Sequence, residues 1–113
     1  MQSLLAIADP TRRRIVELLA ARERTAGELV DEFDMSAPAI SQHLKVLREA
    51  GLVTVRVEGQ SRVQSLNPEG LGDLEDWLQR TRSVWSRRID ALESELRAED
   101  EASEKKRRQN TST

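Results

Sequence analysis

The run from Thr25 to Leu66 constrains this chain more than any other part of it. Thr25 and Glu28 stand three residues apart, the spacing of a capping box, in which cap hydroxyl and glutamate each satisfy a free backbone N–H at a helix start. Leu29, Val30 and Phe33 then supply the apolar face of a short helix, and Asp34-Met35 breaks it. Ser36 is positioned to cap a second helix, with Pro38 tolerated in its first turn. Ile40, Leu44 and Leu47 step by four and three and form its buried stripe. Gly51 can take the left-handed conformation that ends a helix, and Leu52 can fold back onto it. Val53, Val55 and Val57 alternate with Thr54, Arg56 and Glu58, the pattern of a half-buried strand. Glu58-Gly59-Gln60-Ser61 reads as a turn, and residues 62–66 as the returning strand of a β-hairpin.

Helices flank this run. Asp9-Pro10 reads as a cap followed by proline in the first turn, and Ile15, Leu18 and Leu19 follow at helical spacing. Leu4, Leu5 and Ile7 suggest a short preceding helix. After Asn67-Pro68, a stripe of Leu71, Leu74, Leu78, Trp85, Ile89, Leu92 and Leu96 predicts a long last helix. The expected fold is mainly α with a small β-hairpin, in the order α-α-α-α-β-β-α. Residues 1–98 are expected to form one domain and residues 99–113 a polar, disordered tail, because apolar residues all but vanish beyond Glu99.

Composition removes several function classes. The chain has no cysteine and one histidine, so disulfides, thiolate metal sites and Cys–His nucleophiles are excluded. No Gly-rich phosphate loop is visible. Paired carboxylates such as Asp73 and Asp76 are expected on an exposed helix face, and no catalytic residue is assigned. No segment has the apolar length to span a membrane and no signal peptide is visible, so a cytoplasmic protein is expected. The net charge of −2 is not that of a typical nucleic-acid binder. Its distribution is more informative. Residues 23–35 hold five acids against one arginine, whereas residues 36–66 hold four basic side chains against two acids.

Two short helices around a tight break, residues 25–33 and 36–50, form a helix-turn-helix arrangement, in which the second helix enters the major groove of DNA. With Ile40, Leu44 and Leu47 turned to the core, Pro38, Ser41, Gln42 and Lys45 face outward. Glutamine can read adenine through two hydrogen bonds, serine can bond to base edges or phosphates, and lysine supplies phosphate charge. The same face would serve equally as an ordinary solvated surface. The hairpin that follows shifts the balance, because Arg56 and Arg62 flank its glycine-containing tip in the manner of a wing on the DNA backbone. A protein-interaction module is the alternative, and a steep salt dependence of DNA affinity separates the two.

The segment SAPAISQHLKVLREAGLV, with ADPTRRRIVELLA before it and VTVRVEGQSRVQSLNP after it, resembles the ArsR family of bacterial winged-helix regulators over about residues 4–98. The resemblance implies a homodimer built through the first and last helices, reading a palindromic double-stranded operator and usually repressing. It implies DNA-contacting positions at Ser36, Pro38, Ser41, Gln42 and Lys45 and wing contacts at Gln60, Arg62 and Arg56. The SQHL motif carries His43 routinely, which implies packing or a phosphate contact for it. The dimer interface is expected at Leu4, Leu5, Leu74, Leu78, Trp85, Ile89 and Leu92. Arg12, Arg13 and Arg14 are also typical of the family, with helix-surface ion pairs as the favoured role and a marginal phosphate contact as the other. Gln64 departs from the family, which often has an aromatic there, and this puts hairpin packing in question.

Many relatives sense metals, through a cysteine pair that would fall at Val30 and Glu32 or through histidine and carboxylates on the last helix. Here the last helix carries Asp73, Glu75, Asp76, Asp90, Glu93 and Glu95 without histidine. No metal site and no cofactor is expected, since zinc-type sites need imidazole or thiolate donors. The releasing signal is left open between a small molecule, a partner protein and changes in abundance. Trp77 and Trp85 are read as packing or interface residues, with a ligand pocket at the dimer seam as the other reading. The basic run at residues 105–108 reads as part of a solvated tail or as a non-specific DNA arm.

Overall fold

The computed structural model describes residues 2–111, with side chains to Gln109. Its elements are α1 (Gln2–Ala8), α2 (Pro10–Ala21), β1 (Arg24–Thr25), α3 (Ala26–Asp31), α4 (Ala37–Glu49), β2 (Val53–Glu58), β3 (Ser61–Leu66) and α5 (Pro68–Thr111). Contacts divide the chain into two compact units, one ending at Asp76 and the other beginning at Trp77.

The helix starts follow local chemistry. Asp9 Oδ2 accepts the N–H of Arg12 at 2.9 Å and opens α2. At α3 both halves of the capping box form: the Glu28 N–H donates to Thr25 Oγ1 at 3.2 Å and the Thr25 N–H to Glu28 Oε1 at 3.0 Å. Ser36 Oγ accepts the Ala39 N–H at the start of α4. Beyond α4, Gly51 has φ +79, and the Leu52 N–H donates back to the Leu47 carbonyl at 3.0 Å. Glycine takes this left-handed conformation without the Cβ penalty that other residues meet.

The first unit has one aliphatic core. Ile15, Leu18, Leu19, Leu29, Ile40, Leu44, Leu47, Leu52, Val53 and Leu74 are buried in it, with Ala6 at its edge toward α1. Full burial of such a side chain is worth roughly 1.5–3 kcal/mol, so this cluster is what fixes α4 against α2 and α3. The stripe expected on α4 is the buried one.

Four features differ from the sequence reading. First, the sheet has three antiparallel strands in the order β1-β3-β2, with Arg24 opposite Gln64 and Thr25 opposite Val63. A two-residue strand is too short to display an alternating pattern, and Thr25 doubles as the cap of α3. Second, β2 is not half-buried. Val53 is in the core, but Val57 is 69% exposed and Val55 also reaches solvent. β2 is the outer strand of the hairpin, and only its base meets the helices. Third, Gln64 is buried on the central strand β3. Fourth, residues 99–111 are helical, not disordered. After Gly72 nothing in α5 breaks a helix, and Ala, Glu, Lys and Arg are strong helix formers. Residues 112 and 113 of the expected tail lie outside the described residues. From Leu78 to Gln109 the α5 side chains are exposed.

Candidate nucleic-acid interface

α4 presents two chemically distinct faces. Ile40, Leu44 and Leu47 are buried, while Ser36, Pro38, Ser41, Gln42 and Lys45 are exposed. The exposed set is therefore brought together on one side of a helix whose position is set by core packing. Lys45 forms no ion pair among the described residues. The positive dipole end of α4 lies beside Ser36, whose hydroxyl and carbonyl already accept the Ala39 and Ile40 N–H groups.

His43 points elsewhere. It is half-buried and its Nδ1 lies 3.2 Å from a guanidinium nitrogen of Arg12 and 3.9 Å from Asp9 Oδ2. An arginine can only donate, so Nδ1 accepts and the ring proton belongs on Nε2. Arg12 also donates through Nε to the Ala6 carbonyl at 2.7 Å. His43 is thus a strut between α4 and the α1–α2 junction.

The arginine triplet divides its work in a way the sequence did not display. Arg13 donates to the Ile7 and Ala8 carbonyls. Together with Arg12 it satisfies carbonyls that the end of α1 leaves without helical partners. Among the described residues, Arg14 alone of the three makes the expected ion pair, with Glu17 at 3.5 Å.

The wing is the β2–β3 hairpin, with Val53 opposite Leu66 at its base and Glu58 opposite Ser61 at its tip. Gly59 has φ +59 at the first tip position, where a type II′ hairpin turn calls for glycine. Gln60 and Arg62 are exposed there, and Arg62 has no ion pair among the described residues. Arg56 is different: it bonds to Glu23 and, at 2.8 Å, to Glu58. The hydrogen bond from Arg56 holds the Glu23 carboxyl below its ordinary range, and the same pair raises Arg56. Two carboxylates thus offset its charge. Glu23 lies 33 residues from Arg56 in the chain, and no sequence signal marked it as a partner.

Of the residues expected at a dimer interface, Leu74 is buried in the core of its own protomer, because it lies in the part of α5 that packs into the first unit. Leu4 is partly buried against that core, and Leu5 is 71% exposed. In the second unit, Leu78, Trp85, Ile89 and Leu92 are exposed large apolar side chains. Trp77 is half-buried.

Residues 9–55 match the family described as "Bacterial regulatory protein, arsR family". Over 84 residues the chain is 48% identical to the HTH-type transcriptional regulator Rv2034 of Mycobacterium tuberculosis, covering 74% of this chain and 76% of that one. Over 73 residues it is 41% identical to the transcriptional repressor SdpR of Bacillus subtilis, covering 65% of this chain and 81% of that one. Among solved structures it is similar to the homodimeric winged helix-turn-helix DNA-binding domain of Mb0332 from Mycobacterium bovis, a possible ArsR-family regulator. That match has a TM-score of 0.60 and 27% identity, over 73% of this chain and 76% of that one. A capped α4 seated on an aliphatic core, a hairpin wing behind it and these likenesses lead to one assignment: the chain belongs to the arsR family of bacterial regulatory proteins, transcription regulators built on a winged helix-turn-helix.

Proposed function

We propose that this chain is a cytoplasmic repressor that binds a two-fold-symmetric operator as a homodimer, with α4 in the major groove and the wing on the backbone. The observation that carries this reading is the outward face of α4, where Ser41, Gln42 and Lys45 are exposed while the opposite face is locked in the core. In this reading Gln42 and Ser41 meet base edges, Ser36, Pro38 and Lys45 meet the backbone, and Gln60 and Arg62 supply the wing contact. His43 holds α4 in place. Arg56, engaged with Glu23 and Glu58, shapes the wing. Leu5, Leu78, Trp85, Ile89 and Leu92 contribute to the dimer interface, with Leu4 at its edge. The work is binding, without a chemical step. Release falls to a small molecule, a partner protein or a change in the protein's own abundance, since the sequence offers no thiolate and only the one imidazole that packs on Arg12. No described helix is long and apolar enough to cross a membrane.

The test is a titration onto a labelled duplex from upstream of the protein's own gene, against a shuffled duplex, at several salt concentrations. Specific binding with a steep salt slope is expected. Gln42→Ala is expected to lose about 1–3 kcal/mol of preference at one base position. Arg62→Ala should weaken all sequences alike and make the salt slope shallower by about one. Equal, salt-insensitive binding to both duplexes would favour a protein-interaction module instead.

A further inference from the structure

His43 is the one imidazole in the chain. It follows Ser41 and Gln42 directly on α4, but its Nδ1 faces the α1–α2 junction, 3.2 Å from a guanidinium nitrogen of Arg12 and 3.9 Å from Asp9 Oδ2. These two neighbours make opposite demands on one atom. Arginine only donates and keeps its charge, so its contact needs the bare Nδ1 lone pair. An ionised carboxylate only accepts, so Asp9 needs a proton there. Both partners are anchored at the start of α2: Arg12 donates through Nε to the Ala6 carbonyl at 2.7 Å, and Asp9 accepts the Arg12 N–H at 2.9 Å. That cap holds the Asp9 carboxyl below its ordinary range, so Asp9 stays charged where histidines titrate, between about pH 5 and 8. Among the described residues, no third ionisable group pairs with the ring. α1 carries no charged side chain. On α2, Arg13 bonds to carbonyls and Arg14 to Glu17. Around α3, Glu28 and Glu32 pair with Arg22 and Arg24, and Asp31 is exposed. On β2, Arg56 pairs with Glu23 and Glu58. The α4 positions three and four residues from His43 are Ala39, Ile40, Val46 and Leu47.

We propose that Arg12 and Asp9 form a proton-operated latch on α4: neutral His43 is held by Arg12 in the position that reads DNA, and protonated His43 is handed to Asp9. This rests on the operator-binding reading above and adds acidity to the signals that act on it. A proton taken from solvent onto Nδ1 removes the lone pair that Arg12 uses and sets two cations side by side. The same proton gives Asp9 a donor. A charged N–H···O bond is about 2.8 Å long, so the ring closes on Asp9 by about 1 Å. Ser41 and Gln42 stand on the same turn of helix and move with it. Hydrogen bonds to base edges absorb little of that, since they span only about 2.7–3.2 Å. Acid therefore weakens specific reading. A histidine that touched a phosphate directly would do the reverse, because its positive charge would tighten DNA binding. The sign of the pH dependence thus separates a positioning role for His43 from a contact role.

The test uses the full chain without a histidine tag, so that its single imidazole gives unambiguous signals. Nitrogen NMR at the alkaline end of the range is expected to show the tautomer with its proton on Nε2, and Nδ1 should gain a proton on acidification. In parallel, the protein is titrated onto the upstream duplex and onto its shuffled control between about pH 8 and 5.5. The preference for the upstream duplex should fall toward acid by ~10-fold or more, about the worth of one base-reading contact. His43→Asn sets an amide oxygen near the place of Nδ1 and cannot titrate, so it should keep the alkaline preference and lose the pH dependence. Arg12→Met removes the donor and should show the lowered, acid-state preference at every pH. An alkaline tautomer with its proton on Nδ1, a preference that holds constant or rises toward acid, or a wild-type pH profile in either variant would overturn the latch and leave the operator reading standing. No preference for the upstream duplex at any pH would overturn the operator reading and the latch with it. The wild-type tautomer and pH profile decide the matter even if neither variant folds.

Discussion

Gln64 occupies the middle of the central strand with its side chain buried, and its Oε1 has no hydrogen-bond partner. Its Nε2 reaches only the Arg62 carbonyl, at 3.5 Å. A buried acceptor left unsatisfied costs about 1–3 kcal/mol, so Gln64→Met, of similar volume and without polar N or O, is expected to raise the unfolding free energy by about 1 kcal/mol. Urea denaturation checks this, and a lower midpoint would mean the carbonyl oxygen has a partner worth keeping. Asp9 makes a second prediction. The Arg12 N–H that it caps holds its carboxyl below the ordinary value of 3.8. A carboxyl depressed by folding stabilises the native state above its unfolded value, and that contribution is lost as pH falls through the lower folded value. Glu23 and Glu28 are depressed too, by hydrogen bonds from Arg56 and from the Thr25 N–H respectively, so the wild type loses stability on acidification from above 4.5. Asp9→Asn keeps an oxygen to cap α2 but cannot titrate. It is expected to show a shallower loss below pH 3.8 than the wild type, measured by thermal unfolding across that range. These signs were only half visible in the sequence. The Asp9 cap is a neighbour effect and legible, whereas the burial of Gln64 is set by its place on the central strand β3 of the folded sheet.

At the scale of elements, α4 ends and α5 begins within one close contact. A Cβ built on Gly70 would stand 1.9 Å from the Gly51 carbonyl oxygen, and Asn67 Nδ2 donates to that same oxygen at 2.9 Å. Gly51 itself has open space around its Cβ direction, so its constraint is conformational only. Gly51→Ala is therefore expected to cost about 1 kcal/mol. Gly70→Ala must push backbone from backbone, and it should cost more, on the order of 2–3 kcal/mol. Thermal unfolding of the two variants ranks them, and an equal or smaller loss for Gly70→Ala would show that α5 can slide away from the turn. The Gly51 stop was legible because helix ends have local chemistry. A glycine in the first turn of a helix is itself a weak signal, since alanine would be favoured there by about 1 kcal/mol on propensity alone. That signal does not say which backbone approaches it.

At the scale of the whole molecule, the proposed homodimer makes stability depend on protein concentration, because association stabilises the form that pairs. The midpoint of thermal unfolding is expected to rise with concentration for the wild type and to become nearly independent of it in Ile89→Glu, which places a charge in the middle of the exposed apolar stripe. Equal slopes in the two proteins would place self-association away from that stripe. The sequence by itself determined the capped helices, the buried stripe of α4, the glycine stop, the existence of the wing and the outward set of Ser41, Gln42 and Lys45. All of these follow from hydrogen bonds and periodicity within a turn or two of chain, where spacing alone fixes geometry. Tertiary structure alone decided the rest. His43 finds Arg12 across 31 residues and Arg56 finds Glu23 across 33, and Leu74 joins its own protomer's core. Such partners are chosen by how the packed helices bring distant side chains to the same place, and no local pattern records that choice.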